Sequence, residues 1–116
     1  MKKWIDNSVY DVVVATVGDY RRMKKLINDG TVTLEQAVVF AKKISAIDNA
    51  LVAVCQGDGE RAREALLTDI AERRGFERCI SKKYYPARNT FLRRKERAVC
   101  LIAEMLGLLE DRSVND

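Results

Sequence analysis

The side chains best suited to chemistry recur every four residues in the last third of the chain, at Asn89, Arg93 and Arg97. In a helix, residues four apart stack on one face, so these three form one line, the Asn-Arg-Arg row. An arginine fork donates two parallel hydrogen bonds to guanine, and an asparagine amide pairs in the same way with adenine. The row therefore predicts a helix whose N-terminal half reads base edges in the DNA major groove.

The charge of the chain is concentrated around this row. Residues 73–97 contain ten Lys/Arg and two Asp/Glu, whereas the rest of the chain contains eleven and fifteen, so the net charge of +4 is +8 in this segment and −4 elsewhere. Such a local excess is typical of surfaces that bind polyanions. The side chains expected to contact phosphates are Arg73, Arg74, Arg78, Lys82, Lys83, Arg88 and Thr90.

Several residues near the row have an alternative structural interpretation. Tyr84 and Tyr85 can stack or hydrogen-bond at the DNA backbone, or they can pack in the protein. Arg97 can pair with Glu96 or Glu104 instead of with DNA. A helical wheel places Lys95 near the apolar face, so its chain should extend along the helix edge rather than toward bases. The same wheel groups the apolar side chains Phe91, Ala98, Ile102, Met105, Leu106 and Leu109.

The apolar pattern predicts a single all-α domain over residues 1–116. Apolar residues recur at spacings of three and four in four segments, which predicts helices at about residues 8–28, 33–55, 60–74 and 87–108. The first two should form an antiparallel hairpin over residues 7–56, which supports the domain and offers a homodimer surface. A frayed tail is expected over 110–116.

Polar residues mark the predicted helix starts. Asn7 or Ser8 can cap the first helix, and Asp58 can cap the third. Thr33 followed by Gln36 has the spacing of a capping box at the start of the second helix. These caps define where the first three predicted helices begin.

The composition gives no support to catalysis or to metal binding. The chain contains no His, and Cys55, Cys79 and Cys100 lack the spacing of a zinc site. No phosphate-binding loop or nucleophile elbow occurs. We therefore expect no enzyme, no metal and no cofactor, and three reduced thiols. A helix that spans a bilayer needs about 20 consecutive apolar residues, and no apolar run in the sequence comes near this length. No signal peptide is recognised. We therefore expect a cytoplasmic protein with no membrane partner.

Three segments resemble one family. Ile-Ser-Ala-Ile-Asp-Asn-Ala-Leu (44–51) is similar to the I-x-x-I-x-x-A-L helix of phage-encoded transcriptional activators of the ArpU/RinA type. Ala-Arg-Asn-Thr-Phe-Leu-Arg-Arg-Lys-Glu-Arg-Ala (87–98) resembles that family's recognition helix, S-x-x-T-F-Y-R-R-K-x-x-A. Ile-Ala-Glu-Met-Leu-Gly-Leu (102–108) resembles its ending, L-A-x-x-L-G-L. The resemblance covers residues 44–108.

The resemblance implies a sigma-factor region-4-like helix-turn-helix that binds promoter DNA. Residues 58–109 would form a helix-turn-helix-like C-terminal half with a long last helix. The recognition helix would include Thr90, Phe91, Arg93, Arg94 and Lys95, which adds Arg94 to the predicted DNA contacts. Tyr84 is also among those contacts, because its ring can stack or its hydroxyl can hydrogen-bond at the DNA backbone. The protein would be a transcriptional regulator in the bacterial host cell of a phage or prophage. Its partner would be double-stranded DNA, with RNA polymerase as a further candidate.

Two departures from the family pattern affect this interpretation. Ala87 stands where the family has a capping Ser. Residues 70–75 resemble a first helix of the motif, yet they lie about ten residues farther from the recognition helix than a turn of about three or four residues allows. Either residues 79–85 form the first short helix or the turn is expanded.

A second function class uses the same basic face. A small helical phage protein-interaction module could dock on, or inhibit, a host complex that handles nucleic acids, with the basic face against an acidic partner. Salt-sensitive binding to random duplex DNA distinguishes the first function from the second.

Overall fold

A computed structural model describes residues 5–109, and all regular secondary structure in this range is helical. The α-helices are α1 (Asn7–Gly18), α2 (Tyr20–Asp29), α3 (Leu34–Cys55), α4 (Glu60–Ala71) and α5 (Arg88–Met105). Short 3₁₀ segments lie at Gln56–Asp58, Phe76–Arg78 and Ser81–Lys83. The all-α prediction with a long last helix is confirmed. The predicted tail over 110–116, and the start of the segment searched for a signal peptide, lie outside the described residues.

The single helix predicted over residues 8–28 is wrong, because two helices occupy this range. α1 ends at Gly18 and α2 begins at Tyr20. Gly is a poor helix former, and the carboxylate of Asp19 suits a helix start, where it accepts from Arg22 at 2.8 Å. The break lets α1 pack against α4 and α5 while α2 packs against α3. The expected hairpin is thus built by α2 and α3 alone.

One of the predicted helix caps is confirmed, and another is wrong. The Thr33 capping box is confirmed, since Gln36 N–H donates to Thr33 Oγ1 at 3.1 Å and Thr33 N–H donates to Gln36 Oε1 at 3.2 Å. α1 is capped by Asp6, not by one of the two following residues as predicted. Val9 N–H donates to Asp6 Oδ1 at 3.0 Å, and this bond helps to lower the pKa of Asp6.

α4 ends at Ala71, before the predicted end near residue 74. Arg73 adopts the left-handed conformation with φ 56°. Its N–H donates to Ile70 O at 3.1 Å, and the Arg74 N–H donates to Asp69 O at 2.8 Å. These two bonds close the end of the helix in the pattern that usually carries a glycine. The chain therefore turns away from the α4 axis directly after Ala71.

The core is shared by α1, α3, α4 and α5. Its fully buried large side chains come from all four helices: Val13, Val17, Ile47, Leu66, Ile70, Phe91 and Ile102. Their burial fixes the apolar side of α5 against the other helices, because apolar area removed from water is the main stabilising term of a small domain.

Residues 72–87 connect α4 to α5 without an α-helix. The connection contains two 3₁₀ segments, and the second of them lies within residues 79–85, where a short helix was one of the two arrangements expected. Asp69 of α4 supports it. The Asp69 side chain is fully buried, and its two oxygens accept the N–H groups of Ile80 at 3.0 Å and Ser81 at 2.9 Å. Hydrogen bonds to a carboxylate are stronger than neutral ones, so Asp69 ties the connection to the core.

We expect Asp69→Asn to lower the free energy of unfolding by about 2–4 kcal/mol. The amide nitrogen would replace one of the two acceptors and leave a buried backbone N–H unpaired. Urea denaturation followed by circular dichroism measures this change. Glu64→Gln, at an exposed position of α4, is the control and should shift stability by less than about 0.5 kcal/mol. A similarly small shift for Asp69→Asn would contradict the role given to the carboxylate.

Candidate nucleic-acid interface

α5 buries one side and exposes the other. Phe91, Ala98 and Ile102 are fully buried, as the helical wheel predicts. Met105 is the exception, because its side chain remains 45 % exposed. The last turn of α5 runs past the core beside Val39 of α3, where Met105 borders an open depression. The predicted apolar face therefore holds over the first four turns and fails at Met105.

The Asn-Arg-Arg row lies on the exposed side of α5. Arg93 and Arg97 form no hydrogen bond, ion pair or ring contact with any residue in the range 5–109. The alternative pairing of Arg97 with Glu96 or Glu104 is not seen there, although both carboxylates border the same groove. The two guanidinium groups of the row are thus available to an external anion.

A groove of about 630 Å³ runs beside the row. One wall comes from α5 and the other from the end of α3 and the turn after it, and the lining includes Thr90, Arg93, Arg97, Leu101, Val54 and Gln56. Gln56 has φ 48° and ψ −117°, a conformation that residues with a side chain rarely adopt. Strained backbone of this kind is concentrated at functional sites. The charged side chains that line this groove are three arginines and two glutamates: Arg93, Arg94, Arg97, Glu96 and Glu104.

Arg94 is adjacent to the row in sequence but has a different environment. Its Nη1 donates to the carbonyl oxygen of Val54 and lies 3.7 Å from Asp58 Oδ2. Its guanidinium stacks over the Tyr85 ring at 4.6 Å. These contacts fasten α5 to the end of α3. Asp58 does not cap α4 as predicted, because Arg94 and Tyr85 engage its carboxylate and Gly59 takes the cap position.

Tyr85 packs inside the protein rather than on the basic surface. The ring is 3 % exposed, and its hydroxyl donates to Asp58 Oδ2 at 2.8 Å. Burial, together with hydrogen bonds to Cys55 and Asp58, raises the pKa of Tyr85 above its ordinary value. The hydroxyl thus stays protonated as a donor at neutral pH. Tyr84 is half-buried against the same core.

The basic residues before the row form two groups. Three of them are held by protein acceptors: Arg73 donates to Asp11 at 2.9 Å, Arg74 to Glu72 at 2.6 Å, and Lys82 to the Glu77 carbonyl oxygen at 3.1 Å. The other three are exposed and have no such bond within residues 5–109: Arg78, Lys83 and Arg88. Five of the twelve predicted contacts combine exposure with a charge that no residue in this range engages: Arg78, Lys83, Arg88, Arg93 and Arg97.

Arg73 and Arg74 have structural roles at the end of α4. The Arg73 guanidinium reaches α1, where it binds Asp11 and stacks over the Tyr10 ring at 5.4 Å. The hydrogen bond to Glu72 raises the pKa of Arg74. Lys95 is half-buried at the edge of the apolar side and donates to the Arg74 carbonyl oxygen at 3.1 Å. Its position agrees with the prediction that it does not face the row.

The groove wall formed by Val54 and Gln56 was missed from the sequence. These residues lie about forty positions from α5, and nothing in their type signals a shared site. The pair of glycines that flank Asp58 indicates a tight turn there. Only the packing of α3 on α5 shows that this turn faces Arg93 and Arg97.

Other site chemistry is limited. Within residues 5–109 no group of three or more His, Cys, Asp or Glu side chains could hold a metal ion. None of the helices in this range combines the length and apolarity that a bilayer span requires. Cys55 and Cys79 are buried, and burial raises the pKa of both thiols.

The two neighbouring arginines should differ in their effect on stability. We expect Arg94→Ala to lower the free energy of unfolding by about 1–3 kcal/mol, because it leaves the Val54 carbonyl and Asp58 without a cation. Arg93→Ala is the matched control and should stay within about 0.5 kcal/mol of the unchanged protein. Urea denaturation of both variants measures the difference. Equal losses would show that Arg94 is not the anchor of α5.

No family model, no characterised protein and no solved structure matches the chain.

Proposed function

We propose that the protein is a sequence-specific DNA-binding transcriptional regulator of the phage or prophage type, with α5 in the major groove. The observation that supports it most is that Arg93 and Arg97 extend from a firmly anchored helix without any partner among the described residues. Asn89, one turn before Arg93, completes the row. RNA polymerase is a further partner that the family resemblance suggests.

The anchoring of α5 suits base recognition. The major groove is about 12 Å wide and admits one helix, whose N-terminal residues contact the bases. In α5 the row begins at the second residue of the helix, and Arg94 holds this half of the helix on the end of α3. A side chain on a fixed helix loses less entropy on binding than one on a mobile loop. The arrangement therefore favours direct contacts from the row to base edges.

The exposed cations outside the row suit phosphate contacts. Arg78 and Lys83 lie on the connection before α5, and Arg88 is the first residue of α5. Each cation that meets a phosphate releases a condensed counterion, so binding weakens as salt rises. These three residues would orient α5 on the duplex without contributing to sequence preference.

A protein-interaction module is the second candidate. The groove supports it, because Leu101 adds apolar surface next to the two unpartnered arginines. An acidic segment with an apolar side chain would complement such a groove. The DNA experiments below distinguish the two candidates, since this module would not bind duplex DNA.

For base contacts, we expect Arg93→Ala and Arg97→Ala each to weaken binding to a specific duplex by about 1–3 kcal/mol. The duplex would come from a binding selection on a genomic library, and fluorescence anisotropy would give the dissociation constants. Arg61→Ala removes an exposed cation from α4 and should change affinity little. If the Arg93 and Arg97 variants bind the selected duplex as tightly as the Arg61 variant does, α5 is not the recognition helix.

For phosphate contacts, Lys83→Gln should reduce the slope of log Kd against log salt by about 0.9 for any duplex sequence. Lys82→Gln is the matched neighbour and should reduce it less, because Lys82 already donates to Glu77. Titrations at several salt concentrations measure both slopes. If neither variant changes the slope, the connection over residues 72–87 is not part of the DNA-binding surface.

A further inference from the structure

The N-terminal half of α3 has one uncovered side. Leu34 is 82 % exposed and Val38 52 %, and Ala41 and Ser45 are exposed after them. The positions 34, 38, 41 and 45 follow the alternation of four and three residues that aligns side chains toward a second helix. We call these four residues the α3 seam. The line ends at Asp48, which is half-buried and accepts a hydrogen bond from α2. Isolated exposed apolar residues are ordinary, but a line of them at this spacing is typical of an interaction surface.

Two charges on one flank of the seam indicate which partner fits it. Glu35 and Lys42 are exposed and seven residues apart, so they lie two turns from each other on the same side. Neither forms an ion pair or hydrogen bond with a residue in the described range. In two parallel copies of α3 this flank would face the opposite flank of the other copy, at Ala37 and Ile44, so Glu35 would meet no cation. An antiparallel copy related by a two-fold axis near Val38 places Glu35 of each copy against Lys42 of the other.

We propose that the protein forms a homodimer by antiparallel pairing of α3 through its seam. Leu34 of one copy then lies beside Ala41 and Ser45 of the other, and two Glu35–Lys42 pairs flank the contact. The charge pattern is complementary to itself, which makes a second copy of this chain the partner. The pairing does not depend on the proposed function.

The arrangement has a consequence that does rest on the proposed function. Val54, which holds α5, lies sixteen residues from Val38, or about 24 Å along the helix axis. The two α5 helices would therefore lie toward opposite ends of the dimer, related by the two-fold axis. Such a dimer recognises an inverted repeat in DNA.

Sedimentation equilibrium of the full chain tests the pairing. We expect a mass of twice the 13.2 kDa of the chain, and Val38→Glu should reduce it to that of the monomer. Val12→Glu, at an exposed apolar position of α1, is the matched control and should leave the dimer intact. Circular dichroism confirms that both variants are folded. A monomeric unchanged protein, or a dimer that Val38→Glu leaves unaffected, overturns the proposal.

Charge reversal tests the orientation of the two helices. Glu35→Lys or Lys42→Glu alone should raise the dimer Kd about tenfold, because each creates two like-charge contacts. The double variant should restore Kd to near its original value. In a parallel dimer neither single reversal would create a like-charge contact, so a Kd that stays unchanged in both single variants would overturn the antiparallel arrangement. If the unchanged protein is a dimer but does not bind DNA, that result counts against the proposed function alone.

Discussion

The buried carboxylate of Asp69 is the constraint on which the placement of α5 depends. Ala87 gives α5 no side-chain cap, and the connection before it contains no α-helix, so neither local element fixes where the last helix begins. Asp69 of α4 holds the connection instead. Its carboxylate accepts charge-assisted hydrogen bonds from two successive backbone N–H groups in the middle of the connection. A carboxylate that is removed from water is stable only when its oxygens accept hydrogen bonds. The connection is therefore held in one conformation although its own sequence favours none.

Two adjacent arginines of α5 have different roles, because their side chains leave the helix in different directions. Arg93 and Arg94 are neighbours in sequence, but a rotation of about 100° per residue directs one to the groove and the other to the end of α3. Arg94 meets the Val54 carbonyl, one of the acceptors that the end of a helix leaves unpaired, where a cation also suits the helix dipole. The charge excess of residues 73–97 thus contains anchoring cations as well as cations that are open to a ligand.

Local spacing was sufficient to predict the features that depend on residues close in sequence. The Thr33 capping box, the buried side of α5 around Phe91 and Ile102, and the outward direction of Arg93 and Arg97 follow from spacings of three and four. The break between α1 and α2 was missed because a continuous apolar stripe outweighed one glycine in the interpretation. The roles of Asp69 and Arg94 were not predictable, because their partners lie 11 to 40 residues away and are brought close only by tertiary packing.

The contact between Arg94 and Val54 also bears on how the chain folds. It joins residues forty positions apart, and the apolar side of α5 packs on helices that all precede it in the chain. Contacts with such long separations form only after the entropy of closing the intervening loop has been lost. We therefore expect α5 to dock late, once α3 and α4 have formed their contact. A truncated or partly folded chain would carry the same basic residues without presenting them on one surface.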